Sequence, residues 1–414
     1  VPESDIPRRA PRREDKPFYK DKPEYADHTL NRALEDGQIS RDDHQLIRLY
    51  TTELKATEGI CDIRERKLIY ILTIWRTRIG PYNQNTILDL YEGIERLKAA
   101  KTRYGTPYTQ NSLQDHIGLL KRFYMWLIEN SYSSVPLEKL RKIKVPAIDN
   151  MTVTADELIT RDEIKAMIQH CQNSRDRAMI AVLYEGGFRI SDIGGLTWNM
   201  VKFDEYGAQV NVDFKTGIPR YVRLLIAVPY LSAWKNDYPF PIEPEGLVFV
   251  SNRNTPTTYA GLSAQIKKIA IRAGIRKAIH PHLFKHTRVT HMHEEGYHDS
   301  TIKQICWGHQ GTKMLATYAH LTNKTIDDEI FTIHGIKRTK DTEASSMAAR
   351  QRLYCNTINA PTQEFCNTCG RPLTGEATTD LSTAVTAIED HPVYKAIMEK
   401  IKMELPALAK NSTS

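Results

Sequence analysis

No stretch of this 414-residue sequence approaches the run of about 18 apolar residues that a membrane-spanning helix needs, so no such helix is expected. The opening stretch VPESDIPRRAPRREDKP has no apolar core and is not read as a signal peptide. Cysteine is scarce. Six residues, two of them in CNTC, are too few for a disulfide scaffold, and a reducing cytoplasm is the expected compartment. No DxD pair or acidic cluster suited to Mg²⁺ stands out, and no internal repeat is visible. What is present is a moderately apolar chain, 41% hydrophobic, with a formal charge of +7. Its length predicts two or three domains, and its excess of base suggests a polyanionic partner without requiring one.

Proline and mixed charge mark residues 1–26 as a flexible basic arm containing Arg8, Arg9, Arg12 and Arg13. Helical periodicity then runs from 27 to 146. Ser40 with Asp43 forms an acidic capping box, Leu68, Leu72 and Trp75 make one stripe, and Leu113, Ile117, Leu120, Phe123 and Leu127 make another. These short helices must pack on one another to be stable. A linker at 147–155 leads to a second domain over 156–335, opened by a Thr160–Glu163 capping box. Within it, GAQVNVDFKTGIPRYVRLLIA reads as two strands around a turn at Lys215–Gly217, set among helices. A polar linker at 336–350, a cysteine-bearing segment at 351–375 and a tail at 376–414 with a short amphipathic helix complete the chain. The expected fold is mainly α, a helical domain followed by a mixed α+β domain with a small hairpin or sheet.

Several polar residues fall at element junctions. Arg189 follows a Gly-Gly-Phe helix end, Lys215 sits on the hairpin tip, and His282 and Lys285 open a helix with Arg288 one turn on. His309 follows Gly308, and Tyr318 lies nine residues beyond His309. This is a set of phosphate donors with one nucleophile. Attack on a phosphodiester builds charge on the non-bridging oxygens, which guanidinium and ammonium groups stabilise. Arginine offers a planar fork and lysine a point charge. A phenol is a weak nucleophile while protonated and needs a base or a positive field. A mobile lysine can protonate the leaving oxygen, so cations can fill these roles without a metal.

In this order the motifs resemble those of tyrosine recombinases, the phage-type integrases, and among them the archaeal members. EGGFRISDIGGLTW is similar to their first box, DFKTGIPRYVRLL to their β-hairpin, HLFKHTRVTHM to their His-x-x-Arg-His box, and ICWGHQGTKMLATYAHL to the box that holds the nucleophile. The resemblance covers roughly 27–335. It implies a helical, SAM-like core-binding domain and a DNA breaking-rejoining catalytic domain that close around DNA as a clamp. Tyr318 would form a 3′-phosphotyrosine and free a 5′-hydroxyl. Arg189 would clamp the phosphate, His282 would assist the phenol, Lys215 would be the general acid, and His309 would hydrogen-bond a phosphate oxygen. His286 would support the box. The implied partners are double-stranded DNA and further copies of the chain, as a tetramer on two duplexes, with no catalytic metal, no ATP and no membrane. The departure is Lys285, where the family usually has arginine. Activity is expected to be retained at a reduced rate or to be compensated, and Arg288, one turn away, could reach the same oxygens.

Most DNA affinity should come from phosphate contacts. The candidates are Arg8, Arg9, Arg12, Arg13, Lys121, Arg122, Lys139, Arg141, Lys142 and Lys144. The segment CNTINAPTQEFCNTCG is similar to a short zinc ribbon, with Cys355, Cys366 and Cys369 as ligands of a structural zinc. Its first knuckle has Arg352 where a fourth cysteine would stand, so either a fourth ligand comes from elsewhere, with His334 and His391 as distant donors, or the site has lost its metal. Three other readings stay open: a DNA-binding accessory protein that does not cleave, a type IB topoisomerase-like enzyme, and a helical interaction module whose polar residues are scattered.

Overall fold

The computed structural model describes residues 9–19, 22, 24–150, 153–212, 220–309, 311, 347, 349–351, 355 and 357–410, with side chains except those of Gln351 and 402–410. Two compact units emerge, Tyr19–Thr152 and a larger one built from Val1–Phe18 with Val153–Ser414.

The smaller unit is helical: α1 (Glu24–Glu35), α2 (Arg41–Glu58), α3 (Asp62–Trp75), α4 (Ile87–Ala99), α5 (Gln110–Glu129) and the short α6 (Leu137–Arg141). Ser40 caps α2 as its sequence predicts, with Oγ accepting from Asp43 N at 3.1 Å and the Asp43 carboxylate accepting from Ser40 N at 3.0 Å. That carboxylate is fully buried, and it also takes Arg76 Nε at 2.6 Å and Tyr82 N at 2.9 Å. A buried charge is tolerable when it is paired and hydrogen-bonded in this way. The predicted stripes face inward. Leu68, Leu72 and Trp75 pack with Ile117, Leu120, Phe123 and Leu127, and Leu113 sits at the edge of the cluster. Gly93 admits the close approach of α4, since a Cβ there would lie 2.3 Å from Ile79 Cγ2.

The larger unit begins with α7 (Arg161–Gln169), α8 (Ser174–Glu185) and α9 (Ile190–Gly194), and Thr160 caps α7 with Glu163. An antiparallel sheet of β1 (Val201–Asp204), β2 (Gly207–Val212) and β3 (Arg220–Leu224) follows. Beyond it come α10 (Val228–Asn236), α11 (Tyr259–Arg272), α12 (Pro281–Glu294) and α13 (Asp299–Trp307). Strand β2 is central, with Val210 opposite both Val201 and Val222. Helix α8 is buried along almost its whole length and forms the axis of the core. Glu185 at its end accepts the backbone N–H groups of Leu225, Ile226 and Ala227 at 2.7, 2.9 and 2.8 Å, fixing the chain as it leaves β3. No helix among the described residues is long and apolar enough to cross a membrane.

The cysteine segment contributes a two-stranded ladder, β4 (Arg350–Gln351) with β5 (Ile358–Asn359). Met347 and Ala360 join the core of the larger unit, and the Tyr230 hydroxyl of α10 hydrogen-bonds Thr362 Oγ1. Two helices follow, Gly375–Asp390, exposed except at Ala377, and Pro392–Lys410.

The flexible arm expected over 1–26 is corrected by the described part of that segment. Residues 9–18 form a strap on the larger unit, and α1 starts at Glu24. Pro11 O accepts Leu247 N at 2.8 Å, and Phe18 O accepts Tyr259 N at 3.0 Å. Two glycines make the room. A Cβ at Gly246 would lie 2.8 Å from Ala10 Cβ, and one at Gly194 would lie 2.0 Å from the Phe18 ring. Proline-rich, charged composition reads as disorder, but two apolar anchors and two backbone hydrogen bonds hold this stretch in place.

Candidate active site

The site is built where four pieces of the larger unit meet. Helix α8 ends at Gly186 and Gly187. Gly187 has φ +54, and a Cβ there would press on Cys306 Sγ at 3.3 Å, so a side chain is disfavoured twice over. This turn delivers Arg189 to the N-cap of α9, half-exposed, with its N–H donating to Asp192 Oδ2 at 2.9 Å. Asp192 is 2% exposed and ion-paired with Arg220, itself 3% exposed, at the start of β3. Arg220 Nη1 then donates to the Cys306 carbonyl at 3.1 Å. The same carbonyl accepts Lys285 Nζ of α12 at 2.6 Å. Thus Arg189, Asp192, Arg220 and Lys285 lock the turn at the end of α13 to the first turn of α9.

Lys285 is 2% exposed and lies 4.8 Å from the centre of the Trp307 ring. Burial is the main force that pushes its ammonium down to about 7, and the positive charges of Arg189 and Arg220 push the same way. Arg220 is lowered by burial as well. The cluster therefore buries cationic groups whose charged form an arriving anion would stabilise. Past Cys306 and Trp307, Gly308 closes α13 in the left-handed conformation at φ +81, and His309 stands exposed beside it. His282 is exposed on the first turn of α12, its ring 4.5 Å from that of His286 and edge-on. His286 is buried and pushed down to about 4, chiefly by burial, so it is a neutral packing partner at neutral pH.

Arg288 is committed to other partners in this structure. Its Nε donates to Glu185 O at 3.1 Å and its Nη1 pairs with Glu295 at 3.0 Å, between the rings of Tyr184 and Tyr297. Three residues beyond Lys285, its guanidinium is taken up by Glu185 and Glu295 and holds α8 to α12. The second guanidinium in the site is Arg220, which sequence reasoning missed. A signal for it existed. In RYVRL the two-residue period puts Arg220 on the buried face with Val222 and Leu224, an unusual place for a charge unless a partner awaits it. Lys215 and Tyr318 lie outside the described residues, as does Arg8.

The sequence-selected cations divide into committed and uncommitted groups. Arg9 pairs with Asp15, Arg12 with Glu243, Arg122 with Glu58 and Arg141 with Glu138. Arg13 Nε holds the Gly195 carbonyl at 2.6 Å, and Lys121 Nζ bridges the Arg141 and Ile143 carbonyls at 2.6 and 2.9 Å. Lys139, Lys142 and Lys144 remain on the exposed or half-exposed surface.

Cys355, Cys366 and Cys369 converge, with all three Sγ atoms within 4.8 Å of one another. Cys355 Sγ lies 3.5 Å from Cys366 Sγ and 3.6 Å from Cys369 Sγ. Tetrahedral zinc with Zn–S bonds of about 2.3 Å sets neighbouring sulfurs roughly 3.8 Å apart, so the three thiols fit the ion. Gly370 at φ +67 lets the chain turn so that its N–H reaches the Cys366 carbonyl at 2.8 Å. His391 is not part of this cluster, and its Nδ1 accepts Val393 N at 3.3 Å. Arg352 and His334 lie outside the described residues.

The chain thus has a mainly helical unit and an α+β unit, and the latter gathers Arg189, Arg220 and Lys285 near the end of α13. The phage integrase family matches residues 157–325 of the chain. Tyrosine recombinase XerC of Xanthomonas campestris pv. campestris (strain B100) is 27% identical over 212 residues, covering 51% of this chain and 64% of that protein. The chain thus spans just under two thirds of that relative's length. In fold the chain is similar to a lambda integrase dimer bound to a COC′ core site, with TM-score 0.53, 15% identity and coverage of 72% of this chain and 81% of the other. It is equally similar to the Tn1549 transposon integrase in complex with a circular intermediate DNA, with TM-score 0.53, 16% identity and coverage of 70% and 99%.

Proposed function

We propose that this protein is a site-specific DNA recombinase that cuts and rejoins duplex DNA through a 3′-phosphotyrosine at Tyr318. The observation that carries this reading is the convergence of Arg189, Arg220 and Lys285 at the Cys306–His309 turn, nine residues before the only phenol in that family box. In the reaction the Tyr318 oxygen bonds to the scissile phosphorus as the bond to the 5′ oxygen breaks. Arg189 and Lys285 balance the charge that grows on the non-bridging oxygens. His309 donates to one of them, and His282 eases removal of the phenolic proton. Lys215 supplies the proton taken by the leaving oxygen. The reverse of these steps rejoins a strand, and because the ester conserves the bond energy, no ATP enters. Arg220 positions Lys285 and the turn without touching DNA. Four copies on two duplexes would exchange strands pairwise inside the cell. Lys139, Lys142 and Lys144 would lie near phosphates. The three thiols would hold zinc as a brace for the segment that packs on α10, away from the chemistry.

A suicide duplex drawn from the gene's own flanking sequence tests the reading. Wild type should trap a covalent DNA adduct that Tyr318→Phe cannot form. An inert wild type on that duplex would instead favour the DNA-binding protein without cleavage, for which the lysine at 285 is the motivating departure.

A further inference from the structure

Exposed guanidinium groups on this chain commonly face a carboxylate, as Arg32 faces Asp36, Arg48 faces Asp27 and Arg96 faces Glu92. Arg103 is different. It lies against the ring of Tyr104, whose centre is 4.7 Å from the guanidinium carbon, and the Tyr104 hydroxyl is its hydrogen-bond acceptor. Tyr104 is 74% exposed, more than any other large aromatic among the described residues. The pair sits at the tip of a turn between α4 and α5 in the helical unit. Sequence explains the lack of acid: residues 96–114 contain four bases, Arg96, Lys98, Lys101 and Arg103, and no Asp or Glu. Of these, Arg96 and Lys98 are paired within α4, so the turn keeps Lys101 and Arg103 as its two exposed cations.

This turn is firmly built. Thr102 N donates to Thr106 O at 2.7 Å, Gly105 N donates to Thr102 O at 2.9 Å, and the two threonine hydroxyls meet at 2.9 Å. Gly105 takes φ +78, which suits glycine at the tip. At the base, Lys101 bridges Pro107, and Tyr108 packs edge-on against His116. His116 O in turn accepts Trp75 Nε1 at 3.0 Å, anchoring the turn to the helical core.

Folding gains nothing from holding a large ring in water beside an uncompensated guanidinium. A partner that offers both acceptors and a flat or sugar-like apolar face does gain from it. Stacking pre-orders the guanidinium, so little side-chain entropy is lost when it binds. Duplex DNA has that chemistry, with phosphates for Lys101 and Arg103 and deoxyribose for the ring. We infer that the 101–106 turn is a DNA-binding element of the helical unit, with Arg103 and Tyr104 as the side chains that meet the duplex. The inference rests on the recombinase reading and adds a binding surface that no motif in the family boxes supplies.

The test uses the full chain and a fluorescein-labelled duplex of mixed sequence, titrated by anisotropy over a salt series. A Lys101→Ala/Arg103→Ala variant should reduce the slope of log affinity against log salt by about 2, one for each phosphate that is no longer neutralised. Tyr104→Ala should weaken binding about tenfold at fixed salt, whereas Tyr104→Phe, which keeps the ring, should bind within about twofold of wild type. All three should melt at the wild-type temperature, because the side chains are exposed. If wild type binds and the variants match it in slope and affinity, the turn assignment is overturned and the recombinase reading stands. A wild type that shows no salt-dependent binding overturns both.

Discussion

Replacing Lys285 by arginine should remove a pH dependence from DNA cleavage. Burial, with Arg189 and Arg220 adding to it, brings the Lys285 ammonium from 10.5 down to about 7. An amine with that value is half charged near pH 7 and about one-tenth charged near pH 8. At DNA concentrations below saturation, the rate of Tyr318 adduct formation should therefore fall about tenfold for each pH unit above about 7. Arginine stays charged throughout, so Lys285→Arg should hold its rate up to about pH 9. The comparison of the two proteins isolates this group from Lys215 and Tyr318, which titrate in both. Stability should move the other way. The folded value lies below the unfolded one, so the unfolded chain binds more protons between about 7 and 10.5. The cost of burying the charge is fully present below about 7 and is relieved as pH rises through that window, by at most about 5 kcal/mol. Lys285→Met should lack that rise in a urea titration. A wild-type cleavage rate that is level from about pH 6 to about pH 9, with Lys285→Arg tracing the same line, refutes the reasoning.

Other outcomes follow from individual side chains. Arg220→Met strands the buried Asp192 carboxylate and should cost about 3–5 kcal/mol in urea unfolding, part of which Asp192→Asn in the same chain should restore. Phe18→Ala empties the place that Gly194 leaves for the ring and should lower the larger unit's stability by about 2 kcal/mol, read as a shift in its unfolding transition. Protein prepared with zinc should hold one ion per chain by metal analysis. Cys366→Ser should release it, and a chelator should loosen the 347–373 segment in hydrogen exchange while leaving DNA cleavage intact.

The architecture was legible wherever one periodicity ran long enough. The stripes of α3 and α5, the Ser40 and Thr160 boxes and the hairpin strands all stand where the sequence places them. Strand β1 was not, because Val201–Asp204 is only four residues long. Nor was the helix Gly375–Asp390, whose run of threonines reads against helix. Residue type at a junction draws attention to Arg189, Lys285 and His309, and the structure places all three near the end of α13. The two arginines expose the limit. Arg288 lies in the motif yet faces Glu295, and Arg220 lies outside it yet meets Lys285 at one carbonyl. Sequence spacing gives the helical turn a residue occupies but not the acid that waits across from it in the fold.

The strap has a consequence for how the chain can be divided. Since Ala10 to Phe18 belong to the same body as Val153 onward, the helical unit is an insertion in the covalent chain, leaving that body and returning to it. A fragment cut to begin at Val153 would strip the acceptors from Leu247 N and Tyr259 N and open the hollows beside Gly194 and Gly246. Proteolysis at Tyr19, by contrast, would leave the clasp seated, so the two pieces should copurify after a nick that a denaturing gel reports as complete.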